Sequence, residues 1–229
     1  MATKSLKGRV HQLSESTLQL NFLNNGIFAP GGVLPTFEAK IKQTQAVPLR
    51  PKTLEILQMN LGYMCNQVCA HCHVDAGPDR KEMMTRKTLE KCLRILEQSS
   101  VSTLDLTGGA PEMHPDFRWF VEQIHSLNKK IIVRCNLTII LANPKYHDLP
   151  DFYKKYGVNV VSSLPYFSAK RTDGQRGQGV FEKSIEALHR LNDVGYGRED
   201  RLKLDLVYNP AGAFLPGDQS ELESQFKSK

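Results

Sequence analysis

Apolar positions change their spacing near residue 53. Beyond it, short runs that alternate apolar and polar residues take turns with longer stretches whose apolar residues recur three and four apart. The short runs predict strands over 54–61, 103–107, 131–138, 158–164 and 202–208. The longer stretches predict helices over 85–98, 115–128 and 181–194, with a shorter one over 151–156. The first buries Leu89, Cys92, Leu93 and Leu96, the second Phe117, Phe120, Ile124 and Leu127, and the third stops at Gly195. Such alternation predicts an α/β fold with a parallel sheet and right-handed crossovers. About five βα units are visible, and a closed eight-stranded barrel takes roughly 250 residues, so a partial (β/α) barrel is expected.

Successive strand residues point to opposite faces. One parity collects Gln58 and Asn60, then Thr103, Asp105 and Thr107, then Arg134 and Asn136, then Asn159 and Ser163, then Lys203, Asp205 and Asn209. The other parity is mostly Leu, Ile and Val. A purely structural barrel fills its lumen with branched apolar side chains. Polar residues on one face of all five strands therefore predict a wet or ligand-filled interior.

The first strand runs into Cys65-Asn66-Gln67-Val68-Cys69-Ala70-His71-Cys72. Ligands of α/β sheets bind at the carboxyl ends of strands. Three thiolates on one loop can hold three corners of an iron–sulfur cube, whereas ferredoxin-type clusters use four cysteines. One iron would then be open to an outside molecule. Zinc is the alternative, with His71 or His73 as fourth ligand, although the distant second ligand pair of common structural sites is missing. Cys92 and Cys135 have core parity and read as small apolar residues.

Cys-x₃-Cys-x₂-Cys after a first strand resembles the signature of the radical S-adenosylmethionine (SAM) superfamily, and the resemblance covers roughly residues 48–217. It implies a [4Fe–4S] cluster on Cys65, Cys69 and Cys72, SAM chelated by the free iron, and reductive cleavage of SAM to methionine and a 5′-deoxyadenosyl radical. Gly108-Gly109-Ala110-Pro111-Glu112 resembles the Gly-Gly-Glu segment that binds the SAM amino group. Ala110 stands at the usual Glu position, so Glu112 is either its substitute or a helix-start acid. The resemblance places Arg134, Asn136 and Ser163 at the SAM carboxylate and ribose, Asn209 near the adenosine, and Gln58 and Asn60 among the lumen residues that hold SAM.

Three stretches resemble a narrower group, the arsenosugar-biosynthesis radical SAM proteins: residues 57–67, 71–78 and 208–216. That likeness implies a transferase that moves a 5′-deoxyadenosyl group to trivalent methylated arsenic. The group continues past its fifth strand with a sixth strand and a cysteine-bearing region. This sequence has no cysteine beyond Cys135, so a C-terminally truncated version is expected. Two other readings stand beside it: a radical SAM enzyme that modifies a peptide or small metabolite, and a non-catalytic metal-binding fragment.

Composition narrows the rest. The chain has 229 residues, 40% hydrophobic and 24% charged, which suits one globular domain with a real core. Residues 1–50 are irregular, punctuated by Asn24-Asn25-Gly26 and Pro30-Gly31-Gly32, and read as a lead-in that packs on a core over 51–217; residues 218–229 read as a polar tail. A net charge of +6 without a run of like charges predicts no nucleic-acid partner. No stretch approaches a membrane span, and no secretory signal opens the chain. The expected setting is the cytoplasm, although early Lys4, Lys7 and Arg9 leave organelle import open. The expected partners are a small-molecule substrate and an electron donor such as a flavodoxin or ferredoxin.

Overall fold

The computed structural model describes residues 3–25, 37–44, 48–50, 52–209 and 215–228. Pro30-Gly31-Gly32 and residues 210–214 of the third resembling stretch lie outside the described residues, as does Gly26.

Five strands form one sheet: β1 (Ile56–Asn60), β2 (Thr103–Thr107), β3 (Lys130–Cys135), β4 (Asn159–Ser163) and β5 (Leu204–Val207). They lie in sequence order, every neighbouring pair parallel. The helices are α1 (Ser16–Asn25), α2 (Phe37–Ile41), α3 (Arg86–Gln98), α4 (Phe117–Ser126), α5 (Ile139–Ala142), α6 (Leu149–Lys155), α7 (Ala169–Arg176), α8 (Val180–Asp193) and α9 (Gln219–Lys227). This is the expected α/β partial barrel.

The core lies between the sheet and the covering helices. Met59, Leu104, Leu106, Ile131, Val133, Val158 and Val160 meet Leu89 and Leu96 of α3, Phe117, Phe120 and Ile124 of α4, and Ala187 and Leu191 of α8. Burying a side chain such as Phe120 stabilises the fold by about 1.5–3 kcal/mol. Cys92 packs against this core and Cys135 is buried in it. The register pairs Gln58 with Asp105, Asp105 with Ile132, Ile132 with Asn159, and Val161 with Asp205. The polar parity therefore shares one face, interrupted by Ile132 and Val161.

Several expectations need correction. The third strand stops at Cys135 rather than residue 138, because Leu137 takes a left-handed backbone (φ 59°) and the chain turns into α5. The lead-in is not wholly irregular: α1 is a ten-residue helix. Over its described side chains, residues 16–21, none is buried and Leu20 is 56% exposed, so no buried stripe is seen there. The polar tail is also helical, started by Asp218, whose side chain accepts from the N–H groups of Ser220 and Glu221. α7 escaped the pattern entirely, since it is polar along most of its length.

Candidate metal and cofactor site

β1 delivers the chain to the cysteine loop, and the end of β2 holds that loop in place. Gly109 N–H donates to the Gly62 carbonyl at 2.9 Å and Ala110 N–H to the Met64 carbonyl at 2.8 Å. A Cβ on Gly108 would collide with the Gly62 carbonyl, and one on Gly109 with the Met64 carbonyl. These glycines allow two stretches of backbone to touch. Both glycines also line the cavity described next.

Cys65, Cys69 and Cys72 line one cavity of about 390 Å³ at the carboxyl ends of the strands. Gly108, Gly109, Arg134, Asn136, Ser163 and Asn209 share its wall, with His71, His73 and Arg176. Asn136 Nδ2 donates to Cys65 Sγ at 3.4 Å and to Asn66 Oδ1 at 2.8 Å. Ala76 N–H donates to Cys72 Sγ at 3.3 Å. Asn66 Nδ2 reaches Thr138 Oγ1 at 2.9 Å, and Ala70 N–H reaches the Gln175 carbonyl of α7 at 2.9 Å. The loop is thus tied to β2, to the turn after β3 and to α7.

Three of the expected site residues are not part of that wall. Gln58 donates through Nε2 to Asp105 Oδ2 at 2.8 Å. Asn60 uses Oδ1 to accept from Gly62 N–H at 3.0 Å. Glu112 is buried in the short 3-10 turn after β2, where Tyr153 Oη donates to its Oε1 at 2.6 Å. It stands in the first turn of that 3-10 helix, as the helix-start reading expects, with its carboxyl enclosed by Tyr153 and Cys135 and away from the cavity wall. Gln58 instead supports Asp105, which pairs with Arg134 at 2.8 Å.

The sequence pattern missed two contributors. Arg176 belongs to the unexpected α7. Asp105 was visible as a polar strand residue, but its grip on Arg134 depends on strand order. Register alone would have suggested that grip once β2 and β3 were known to be neighbours.

Burial pushes the Cys65 thiol up to about 11, against the Gln67 backbone N–H that favours the thiolate. Burial also raises Cys69, opposed by the Arg176 guanidinium. His71 is lowered by burial and then by Arg176. A metal must therefore displace protons as it binds. Among the described residues, no three of His, Cys, Asp and Glu converge closely enough to hold one metal ion. Thiols spread round one cavity suit a polynuclear cluster, in which separate irons each take one thiolate. N–H donors already aimed at Cys65 and Cys72 fit that assignment, because hydrogen bonds to the sulfurs tune such clusters.

A family model described as the radical SAM superfamily matches residues 59–208, more than half the chain, and the chain belongs to that superfamily. The cofactors of the superfamily are a [4Fe–4S] cluster and SAM. The chain is 27% identical over 136 residues to the antilisterial bacteriocin subtilosin biosynthesis protein AlbA of Bacillus subtilis (strain 168), covering 59% of this chain and 30% of AlbA. It is 28% identical over 141 residues to the mycofactocin maturase MftC of Mycobacterium ulcerans (strain Agy99), covering 61% of this chain and 37% of MftC. The chain thus spans about a third of the length of these curated relatives. Streptococcus suis SuiB bound to S-adenosylmethionine shares the fold, with a TM-score of 0.57 at 17% identity over 93% of this chain and 47% of SuiB. No helix among the described residues is long and apolar enough to cross a membrane.

Proposed function

We propose that this chain is a radical SAM enzyme whose Cys65, Cys69 and Cys72 hold the cluster and whose cavity wall holds SAM. The observation that carries the reading is the convergence of those three thiols with Gly108, Gly109, Arg134, Asn136, Ser163 and Asn209 on one cavity. The cluster and SAM, when bound, supply reductive cleavage of SAM to methionine and a 5′-deoxyadenosyl radical. The protein supplies position. Three thiolates leave one iron without a protein ligand. The Gly108 and Gly109 carbonyls accept from the SAM amine, Arg134 receives its carboxylate, and Ser163 and Asn209 order the nucleoside. Asn136 holds Cys65 and Asn66 in register with that wall. An electron donor such as a flavodoxin or ferredoxin completes the scheme. A cytoplasmic setting suits five free cysteines, and residues 51–217 are the working unit.

For the acceptor, the three arsenosugar-like stretches support transfer of a 5′-deoxyadenosyl group to trivalent methylated arsenic. The second reading, modification of a peptide, draws on the relatives. AlbA is named for bacteriocin biosynthesis, and a SuiB structure contains the precursor peptide SuiA. Anaerobic protein with SAM and dithionite is expected to release 5′-deoxyadenosine. Adding a dimethylated As(III) compound, or a peptide, then separates the acceptors by which product carries the adenosyl group or the modification. Neither 5′-deoxyadenosine nor an adenosylated product under any of these conditions would sink the enzymatic reading and leave the non-catalytic fragment.

A further inference from the structure

Arg176 closes α7 and is 5% exposed. Its Nη1 donates to the Ser163 carbonyl at the end of β4, and its Nη2 donates to Gln67 Oε1 at 3.0 Å. Its Nε is buried without a hydrogen-bond partner, as is Nε2 of Gln67 beside it. None of the ion pairs among the described residues includes Arg176. A buried charge is costly unless an opposite charge faces it. Cys69 Sγ donates at 4.0 Å to Gln67 Oε1, the same oxygen that accepts from Arg176 Nη2, and Cys69 and Arg176 share the cavity wall. A free thiol is neutral, but an iron-bound thiolate is an anion. The surroundings of Arg176 therefore lack a negative charge that metal binding would create.

We propose that Arg176 is a fixed counter-cation for the Cys69 thiolate of the bound cluster, a positioning residue that holds the loop and makes the cluster easier to reduce. This rests on the cluster assignment above. The cluster takes one electron from an external one-electron reductant, and the added negative charge is stabilised by a nearby cation. Arg176 itself neither gains nor loses a proton. Its fork also joins the cysteine loop to β4, so the charge and the clamp must be separated. Lysine keeps the charge and loses the planar fork, whereas glutamine loses the charge.

The test compares wild type, Arg176→Gln and Arg176→Lys after anaerobic reconstitution. Iron and sulfide per chain are measured first, and the midpoint potential follows from a dithionite titration monitored by electron paramagnetic resonance. Arg176→Gln is expected to keep its iron and shift to a more negative potential, with Arg176→Lys close to wild type. If Arg176→Gln fails to fold, the lysine variant decides alone: a wild-type potential supports the charge role, and a strong negative shift at full iron content overturns it. An unshifted Arg176→Gln with full iron, or equal shifts in both variants, also overturns the role of Arg176. A wild-type protein that takes up no cluster instead overturns the underlying assignment and this role with it.

Discussion

Arg134 grips Asp105 from the side: its Nε lies 3.0 Å and 3.1 Å from the two carboxylate oxygens, and its Nη2 lies 2.8 Å from Oδ2. Gln58 adds a further donor to the same oxygen at 2.8 Å. The carboxylate is 6% exposed in its side chain and the guanidinium 45%, so a buried acid holds a cation that reaches the cavity. Nη1 is the arm not spent on Asp105. Such a hold fixes the aim of an arginine before any ligand arrives.

Asp105→Asn is therefore expected to weaken SAM binding about tenfold, or about 1.4 kcal/mol, while the cluster stays in place. Isothermal titration of SAM into reconstituted protein reads this directly. Unchanged affinity would show that Arg134 needs no support from β2. Gln58→Ala should give a smaller effect of the same sign.

The strands, the core helices and the cysteine loop were legible in the sequence, because period-two and period-3.6 patterns and a dense thiol motif are local signals. Arg176 was not. Its helix has no apolar stripe, and its role exists only once α7 folds back on the cysteine loop. Glu112 is the opposite case. It stands beside a Gly-Gly turn in sequence, but Pro111 starts a short 3-10 turn that sends its side chain toward Tyr153. The glycines resemble a SAM-binding segment in sequence, and the structure shows that their nearest approach is to the cysteine loop's own backbone.

That close approach makes Gly109→Ala a sharp test. The new methyl group would meet the Met64 carbonyl, so the loop must shift. A cost of about 1–3 kcal/mol is expected, with lower iron content after reconstitution. Gly174→Ala in α7 is the control, because its Cβ meets nothing within 4 Å, and it should be neutral or stabilising by up to about 1 kcal/mol. Thermal melts and iron assays on both variants check this.

Glu112 has its carboxyl raised above the ordinary value of 4.5, chiefly by burial. The native state keeps its proton where the unfolded chain has already lost one. Its favourable contribution is thus full below pH 4.5 and is lost as pH rises toward the native value. Glu112→Gln should gain stability relative to wild type as pH rises from 5 to 8. Urea midpoints at the two pH values measure it, and parallel profiles for the two proteins would argue against a protonated Glu112.

The segment before α1 is pinned to the region after the cysteines. Asp79 accepts from Ser5 N–H at 3.0 Å and Asp75 from Lys7 N–H at 2.9 Å, while Arg80 and then Lys7 hold Glu82 down to about 2. A depressed carboxyl stabilises above its unfolded value of 4.5 and loses that contribution as pH falls toward 2. Glu82 is 40% exposed in its side chain, so the effect is modest. Asp79→Asn should speed proteolysis near residues 5–9 at neutral pH, and wild type should show the same change on acidification. Equal cleavage rates would mean that these bonds do not hold the segment.

The central claim is that three cysteines hold one iron–sulfur cube. The most direct measurement is iron and acid-labile sulfide per chain after anaerobic reconstitution, with Cys69→Ala beside the wild type. The account predicts about four irons and four sulfides per chain, lost in the variant. Zinc without sulfide, or iron retained in full by Cys69→Ala, would contradict it.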